Sequence, residues 1–184
     1  MKTKIYIHVA AMGHFNEILT KLLDKINLCG LYNEVHEINL NVCGDASLLG
    51  VKKMHKYNFF NETKSVKKCE FPTLDKIWKD SQTEKFKVLY LHTKGASSPK
   101  RNLPDISLKI EDWVEYLSYF NIEKWQDRIS DLEKHDASGA NLKKNPPWLS
   151  GQFIKAVKDK KNWRDCRSRL HYSGNFWWSN SGHI

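Results

Sequence analysis

The amino-acid sequence predicts an α/β fold, in which one domain has a mostly parallel sheet flanked by helices. A strand, an amphipathic helix and a second strand occupy the first forty or so residues, which is the pattern of a βαβ unit. A nearly continuous apolar run over residues 86–91 then predicts a strand covered on both faces of a sheet. The length of 184 residues suits one core rather than two.

The first unit has the most regular pattern. Residues 4–10 alternate and run into small side chains, as a buried strand does before a tight loop. Apolar residues recur every three or four positions over 15–26, and Gly30 stands where a helix C-cap belongs. Residues 38–42 alternate in a second strand that ends near Asp45.

The remaining elements are predicted from shorter patterns. A helix is expected around residues 72–78, and a small, polar, basic loop follows the apolar strand. Apolar spacing from residue 108 to residue 132 indicates two helices or one bent helix. A short strand or turn is then expected at 136–142, and an aromatic strand at 171–180.

Composition narrows the function classes. The net charge of +9 favours an anionic partner such as nucleic acid, a phosphorylated small molecule or an anionic surface, although a solvated basic face explains it equally well. The four cysteines form no C-x-x-C pair and predict neither a zinc site nor a disulfide framework. No apolar run approaches the ~20 residues of a membrane span. We therefore expect a cytoplasmic protein without a transmembrane segment, with peripheral membrane contact left open.

The common phosphate and metal motifs are absent from the sequence. It contains no G-x-G-x-x-G, no G-x-x-x-x-G-K-[ST] and no H-E-x-x-H. A P-loop enzyme, a dinucleotide-dependent oxidoreductase and a zincin therefore have no support.

Two segments have the composition of a binding site. His92, Thr93, Lys94 and Gly95 end the apolar strand and offer several donors that could converge on a phosphate. The same residues are equally typical of a simple strand-to-loop turn. The second segment is the aromatic strand predicted at 171–180, which holds two adjacent tryptophans. One of them is expected to pack inward and the other to offer a flat surface for a sugar ring. The alternative is that both tryptophans pack under a loop.

The two segments together, HTKG at 92–95 and HYSGNFWW at 171–178, resemble a family of small bacterial and viral proteins. These proteins are treated as GT-A-like glycosyltransferases and are similar to rhamnan-synthesis enzymes. Asp112-Trp113 and residues 136–141 also look like this family. The resemblance covers most of the chain and implies a Rossmann-like nucleotide-sugar-binding half at 1–102 and an acceptor-side half at 103–184. Relatives continue beyond the aromatic strand, so a chain shortened at its C-terminus is expected.

The resemblance also implies roles for particular residues. Ala10, Met12 and Asp45 would face the nucleotide, and the HTKG segment would lie where many such enzymes carry an Asp-x-Asp metal motif. This sequence has no Asp-x-Asp, which leaves dependence on a divalent metal (Mn or Mg) open. Lys94, with two cations of the following loop, could instead neutralise the diphosphate leaving group. Those two loop residues are Lys100 and Arg101.

Acceptor-side residues are predicted from the second segment. Gly174, Asn175, Trp177 and Trp178 are the candidate contacts to the sugar. An inverting transfer needs a general base for the acceptor hydroxyl, and Asp136 and His171 are the candidates. A turn or cap residue and a surface histidine are the alternatives for these two positions.

The predicted function is transfer of a sugar from a nucleotide-diphosphate donor to a surface glycan, with the nucleotide sugar and the glycan acceptor as partners. Two alternatives stay open. The first is a nucleic-acid-binding module, which is favoured by basic and aromatic residues that interleave over 160–172. The sequence contains no recognised nucleic-acid-binding motif, so no nucleic-acid partner is expected under the leading prediction. The other alternative is an inactive relative that binds sugar or nucleotide without transfer. The sequence leaves the oligomeric state open.

Overall fold

Four parallel strands form the centre of the protein. The structure is a computed structural model that describes residues 1–52, 54–96, 104–144 and 170–184. The parallel strands are β1 (Lys2–Ala11), β2 (Glu37–Gly44), β3 (Tyr57–Thr63) and β4 (Phe86–His92). Two short strands, β5 (Ala137–Gly139) and β8 (Trp177–Asn180), complete a six-stranded sheet of order β3-β2-β1-β4-β8-β5, in which β8 is antiparallel to both neighbours. The predicted α/β fold class is confirmed.

Helices cover both faces of the sheet. They are α1 (Phe15–Leu28), α2 (Leu31–Glu34), α3 (Phe71–Thr83), α4 (Pro104–Ser118) and α5 (Trp125–Asp131). The sequence predicted two helices or one bent helix here, and the structure has two helices, α4 and α5, joined by a π-helical turn at Tyr119–Glu123. A separate antiparallel ribbon pairs β6 (Leu142–Lys144) with β7 (Leu170–Tyr172).

Strand alternation divides the core between the two faces. Ile5, Ile7 and Val9 of β1 are fully buried in the larger core, together with the apolar stripe of α1. Tyr6 and Tyr90 belong to a smaller cluster on the other face, which includes residues of α3. Because successive residues of a strand point to opposite faces, His8 and His92 lie on this second face as well.

Two local features differ from the sequence prediction. Residues 171–180 do not form one strand, because Gly174 and Asn175 have φ of 95° and 58° and turn the chain between β7 and β8. The edge strand β3 was not predicted, since its apolar residues do not alternate regularly. Cys29, Cys43 and Cys69 are free thiols; Cys43 is buried, Cys29 is half-buried and Cys69 is exposed, while Cys166 lies outside the described residues.

Candidate functional site

The candidate site lies at the carboxyl ends of β1 and β4. These neighbouring strands form the point where the strand order reverses, since β2 follows β1 in one direction and β4 lies in the other. Ala10 N–H donates to Thr93 Oγ1 at 3.1 Å, and Thr93 N–H donates to the His8 carbonyl at 3.0 Å. In open α/β sheets, ligands bind at such a switch point, outside the carboxyl ends of the strands.

The antiparallel direction of β8 brings the second predicted segment to the same edge. Trp177 pairs with Tyr90, and the turn before it reaches the end of β4. His92 Nε2 lies 3.0 Å from the Gly174 carbonyl oxygen. A Cβ on Gly174 would lie 2.5 Å from Leu117 Cδ1 of α4, so only glycine allows the turn to pack this closely. HTKG and GNFWW are therefore in direct contact.

A carboxylate that the sequence analysis did not single out lies between these segments. Glu70 immediately precedes α3, and its Oε2 accepts hydrogen bonds from Tyr90 Oη at 2.9 Å and from Asn175 Nδ2. Its Oε1 lies 3.6 Å from His92 Nδ1. Asn175 Oδ1 in turn accepts a hydrogen bond from Trp177 Nε1 at 3.0 Å. The result is a continuous polar network across β4, β8 and the start of α3.

Burial controls the charge state of the two histidines in this network. His8 is 3% exposed, and its burial lowers its pKa to about 4, although the charge of Glu70 opposes this shift. Burial also lowers the pKa of His92, against the opposing effects of Glu70 and the Gly174 carbonyl. Burial and the nearby Glu70 charge raise the pKa of Tyr90, so its hydroxyl remains a donor. Both imidazoles are neutral near pH 7.

A cavity of about 400 Å³ opens beside the network. Gly174, Asn175 and Trp177 line it, together with Tyr172 of β7. The indole of Trp177 is half-buried and stacks on Tyr90, with ring centroids 5.2 Å apart. A flat aromatic side chain next to an amide is a combination that can bind a sugar ring or a base.

A second cavity, of about 250 Å³, lies between α1 and α4. Lys94 and Gly95 line it from the end of β4, and His14 lines it from the start of α1. Another lining residue, Lys25, is already paired with Glu115 at 2.7 Å. Lys94 thus lines this cavity and also lies at the carboxyl edge of the sheet, beside the switch point.

The predicted nucleotide-facing residues also reach this edge. Ala10, the next-to-last residue of β1, lies next to Thr93, and the side chain of Met12 is exposed in the loop that follows β1. Asp45 comes directly after β2 and caps a short helical turn at Ala46–Leu48. Hydrogen bonds from the hydroxyl and the backbone N–H of Ser47 lower the pKa of Asp45. The carboxyl ends of three strands thus converge here.

Several predicted site residues do not join the site. Asp136 pairs with the far end of β8, where Asn180 lies opposite Lys87, and its carboxylate is 3.5 Å from His183 Nδ1. Lys87 is five residues before His92 along β4, a separation of about 16 Å. Asp136 therefore lies at the opposite edge of the sheet, because β8 runs antiparallel, and it is not placed to act as the base.

Two further predicted contacts are structural. Trp178 is fully buried, and its Nε1 donates to the Asn121 carbonyl at 2.8 Å, so it is the inward tryptophan and cannot present a surface to a ligand. Thr93 is buried and uses its hydroxyl to join β4 to β1. Lys100, Arg101 and the side chain of His171 lie outside the described part of the chain.

Sequence reasoning missed Glu70, Tyr90 and His8 as members of the site. Tyr90 and His8 lie within apolar strands, and only their alternation with Leu89 and Val9 places them on the α3 face. Glu70 follows a charged stretch with no periodic pattern. Its one available signal was the position immediately before Phe71-Pro72, where a helix was expected to begin.

Comparisons with protein-family models, with curated proteins and with solved structures gave no match to this chain. Among the described residues, no three His, Cys, Asp or Glu side chains are grouped so that they could hold a metal ion. None of the helices in the described ranges combines the length and apolar character needed to cross a bilayer.

Proposed function

We propose that this chain is a cytoplasmic glycosyltransferase that transfers a sugar from a nucleotide-diphosphate donor to a surface glycan. One observation carries the proposal: the two segments that resemble glycosyltransferases meet at the switch point of the sheet, joined by His92 and Gly174. Nothing in the spacing of residues 92 and 174 requires this contact. The edge of an α/β sheet where it occurs is the edge that binds nucleotides in such folds.

The described residues offer complementary chemistry for the two substrates. Lys94 supplies a cation at the end of β4, where it would stabilise the negative charge that develops on the departing diphosphate. Trp177 and Asn175 line the neighbouring cavity and would hold the acceptor sugar through stacking and an amide hydrogen bond. Donor and acceptor would therefore meet above the end of β4.

Donor binding is the first test. The purified protein is melted with UDP, GDP, CDP, ADP and dTDP, and with their hexose derivatives, each with and without Mn²⁺. A ligand at one hundred times its Kd adds about 2.7 kcal/mol to the free energy of unfolding, which raises Tm by about 5–10 °C in a chain of this size. We expect a selective shift with one base, and the Mn²⁺ series tests metal dependence without an Asp-x-Asp motif.

A pair of lysine variants tests where the diphosphate binds. Lys94→Ala should weaken binding of the selected nucleoside diphosphate by about 10-fold or more, because it removes a charged hydrogen-bond donor. Lys134→Ala, an exposed lysine near the opposite edge, should keep wild-type affinity. Equal affinities of the two variants would contradict this site. A cooperative melt that no nucleotide shifts would contradict the proposed function as a whole.

A further inference from the structure

The environment of Glu70 provides a hydrogen-bond partner for each protonation state of its carboxyl group. In the ionised state, Oε2 accepts bonds from Tyr90 and Asn175. These two donors account for one oxygen only. The other oxygen, Oε1, faces the imidazole of His92.

The tautomer of His92 follows from its other contact. Nε2 lies 3.0 Å from the Gly174 carbonyl oxygen, which can only accept, so the ring proton is on Nε2. In the neutral ring, Nδ1 then carries a lone pair, and it lies 3.6 Å from Glu70 Oε1. With Glu70 ionised, both of these atoms are acceptors. A proton on Oε1 could be donated to Nδ1 once the two atoms move about 0.6 Å closer, to an ordinary hydrogen-bond distance of about 3.0 Å.

Glu70 is also the accessible member of this pair. Its side chain is 28% exposed, whereas that of His92 is 13% exposed. The charged and titratable groups around the pair are His8 on β1, Tyr90 on β4, Lys94 in the turn after β4, and Cys43 on β2. Asn175 connects Glu70 to the cavity lined by Trp177. A substrate hydroxyl at this edge can therefore approach the carboxylate without passing through the core.

We propose that Glu70, supported by His92, is the general base that accepts the proton of the acceptor hydroxyl. This inference rests on the proposed function. The acceptor O–H bond breaks and its proton moves to Glu70 Oε1, where His92 Nδ1 accepts the new hydrogen bond. The acceptor oxygen forms a bond to the anomeric carbon. The bond from that carbon to the diphosphate oxygen breaks, and its electron pair leaves with the nucleoside diphosphate.

The test follows release of nucleoside diphosphate from the nucleotide sugar that shifts Tm most, with water as acceptor. Glu70→Gln should lower kcat by about 10²- to 10⁴-fold, while donor affinity stays within about twofold. Glu70→Asp keeps a carboxylate and should show a smaller loss of kcat. Asp75→Asn changes an exposed carboxylate of α3 and should behave as wild type.

Three results would overturn the inference. A Glu70→Gln enzyme whose KM rises while kcat is unchanged would mean that Glu70 only positions Asn175. A two-bond ¹H–¹⁵N spectrum of the wild type with the His92 proton on Nδ1 would remove the acceptor, and this readout needs no turnover. A wild-type protein that neither binds a donor nor releases the diphosphate would remove the proposed function together with this role of Glu70.

Discussion

Burial of His8 should make the stability of the fold depend on pH between about 4 and 6.5. The side chain is 3% exposed, its Nδ1 lies 3.0 Å from Thr73 Oγ1, and its pKa falls to about 4. An unfolded histidine titrates near 6.5. Between these values the unfolded chain binds more protons than the folded chain, so the free energy of unfolding falls as the pH is lowered.

The size of this effect follows from the shift. A difference of about 2.5 pKa units corresponds to about 3 kcal/mol in full, of which about 2 kcal/mol is lost between pH 7.5 and pH 5. The contribution is complete above the unfolded pKa and is lost as the pH falls toward the folded pKa. Buried His92 shifts in the same direction and adds to the loss in the wild type.

Urea unfolding at pH 7.5, 6.5, 5.5 and 5.0 measures the effect in three proteins. His8→Gln keeps a polar group near Thr73 but cannot titrate, so its loss of stability over this range should be about 2 kcal/mol smaller than that of the wild type. His135→Gln, an exposed control, should follow the wild type. Parallel pH profiles for the wild type and His8→Gln would refute the argument that buried, neutral His8 is the source.

Two substitutions test the packing that positions the site. Gly174→Ala should lower the free energy of unfolding by about 1–3 kcal/mol, because residue 174 has a φ of 95° and a Cβ there would meet Leu117. Gly182→Ala is the control: a Cβ there would have its nearest neighbour at 3.7 Å, so the loss measured in the same urea titration should be far smaller. Trp178→Phe should lower the free energy of unfolding by about 1–3 kcal/mol, because it leaves a buried carbonyl without its hydrogen-bond donor. Trp78→Phe, at a side chain that is 51% exposed, should change the free energy of unfolding little. Similar losses within either pair would contradict the packing described.

The first half of the fold could be predicted because its signals are local. The apolar spacing over residues 15–26 defines α1, and Gly30 follows its end with a φ of 83°. The alternation in residues 38–42 and the apolar run at 86–91 define β2 and β4. The rule that ligands bind at the carboxyl edge of a parallel sheet then placed Lys94 and Asp45 at one edge.

The second half depended on pairing between distant segments. The sequence shows an aromatic strand, but not that it begins after a turn at Gly174 or that it inserts between β4 and β5. The direction of β8 separates Asp136 from His92 and at the same time brings Asn175 to Glu70. Neither consequence can be derived from local spacing, because both depend on strand register.

By itself, the sequence determined the α/β class, the first βαβ unit and the two segments with the composition of a binding site. Propensity and periodicity are properties of neighbouring residues, so they are readable along the chain. Only the tertiary structure decided that Glu70 joins the site, that Trp177 lines a cavity while Trp178 fills the core, and that Asp136 lies at the far edge. These outcomes depend on contacts between residues that lie tens to more than one hundred positions apart, such as Glu70 and Asn175.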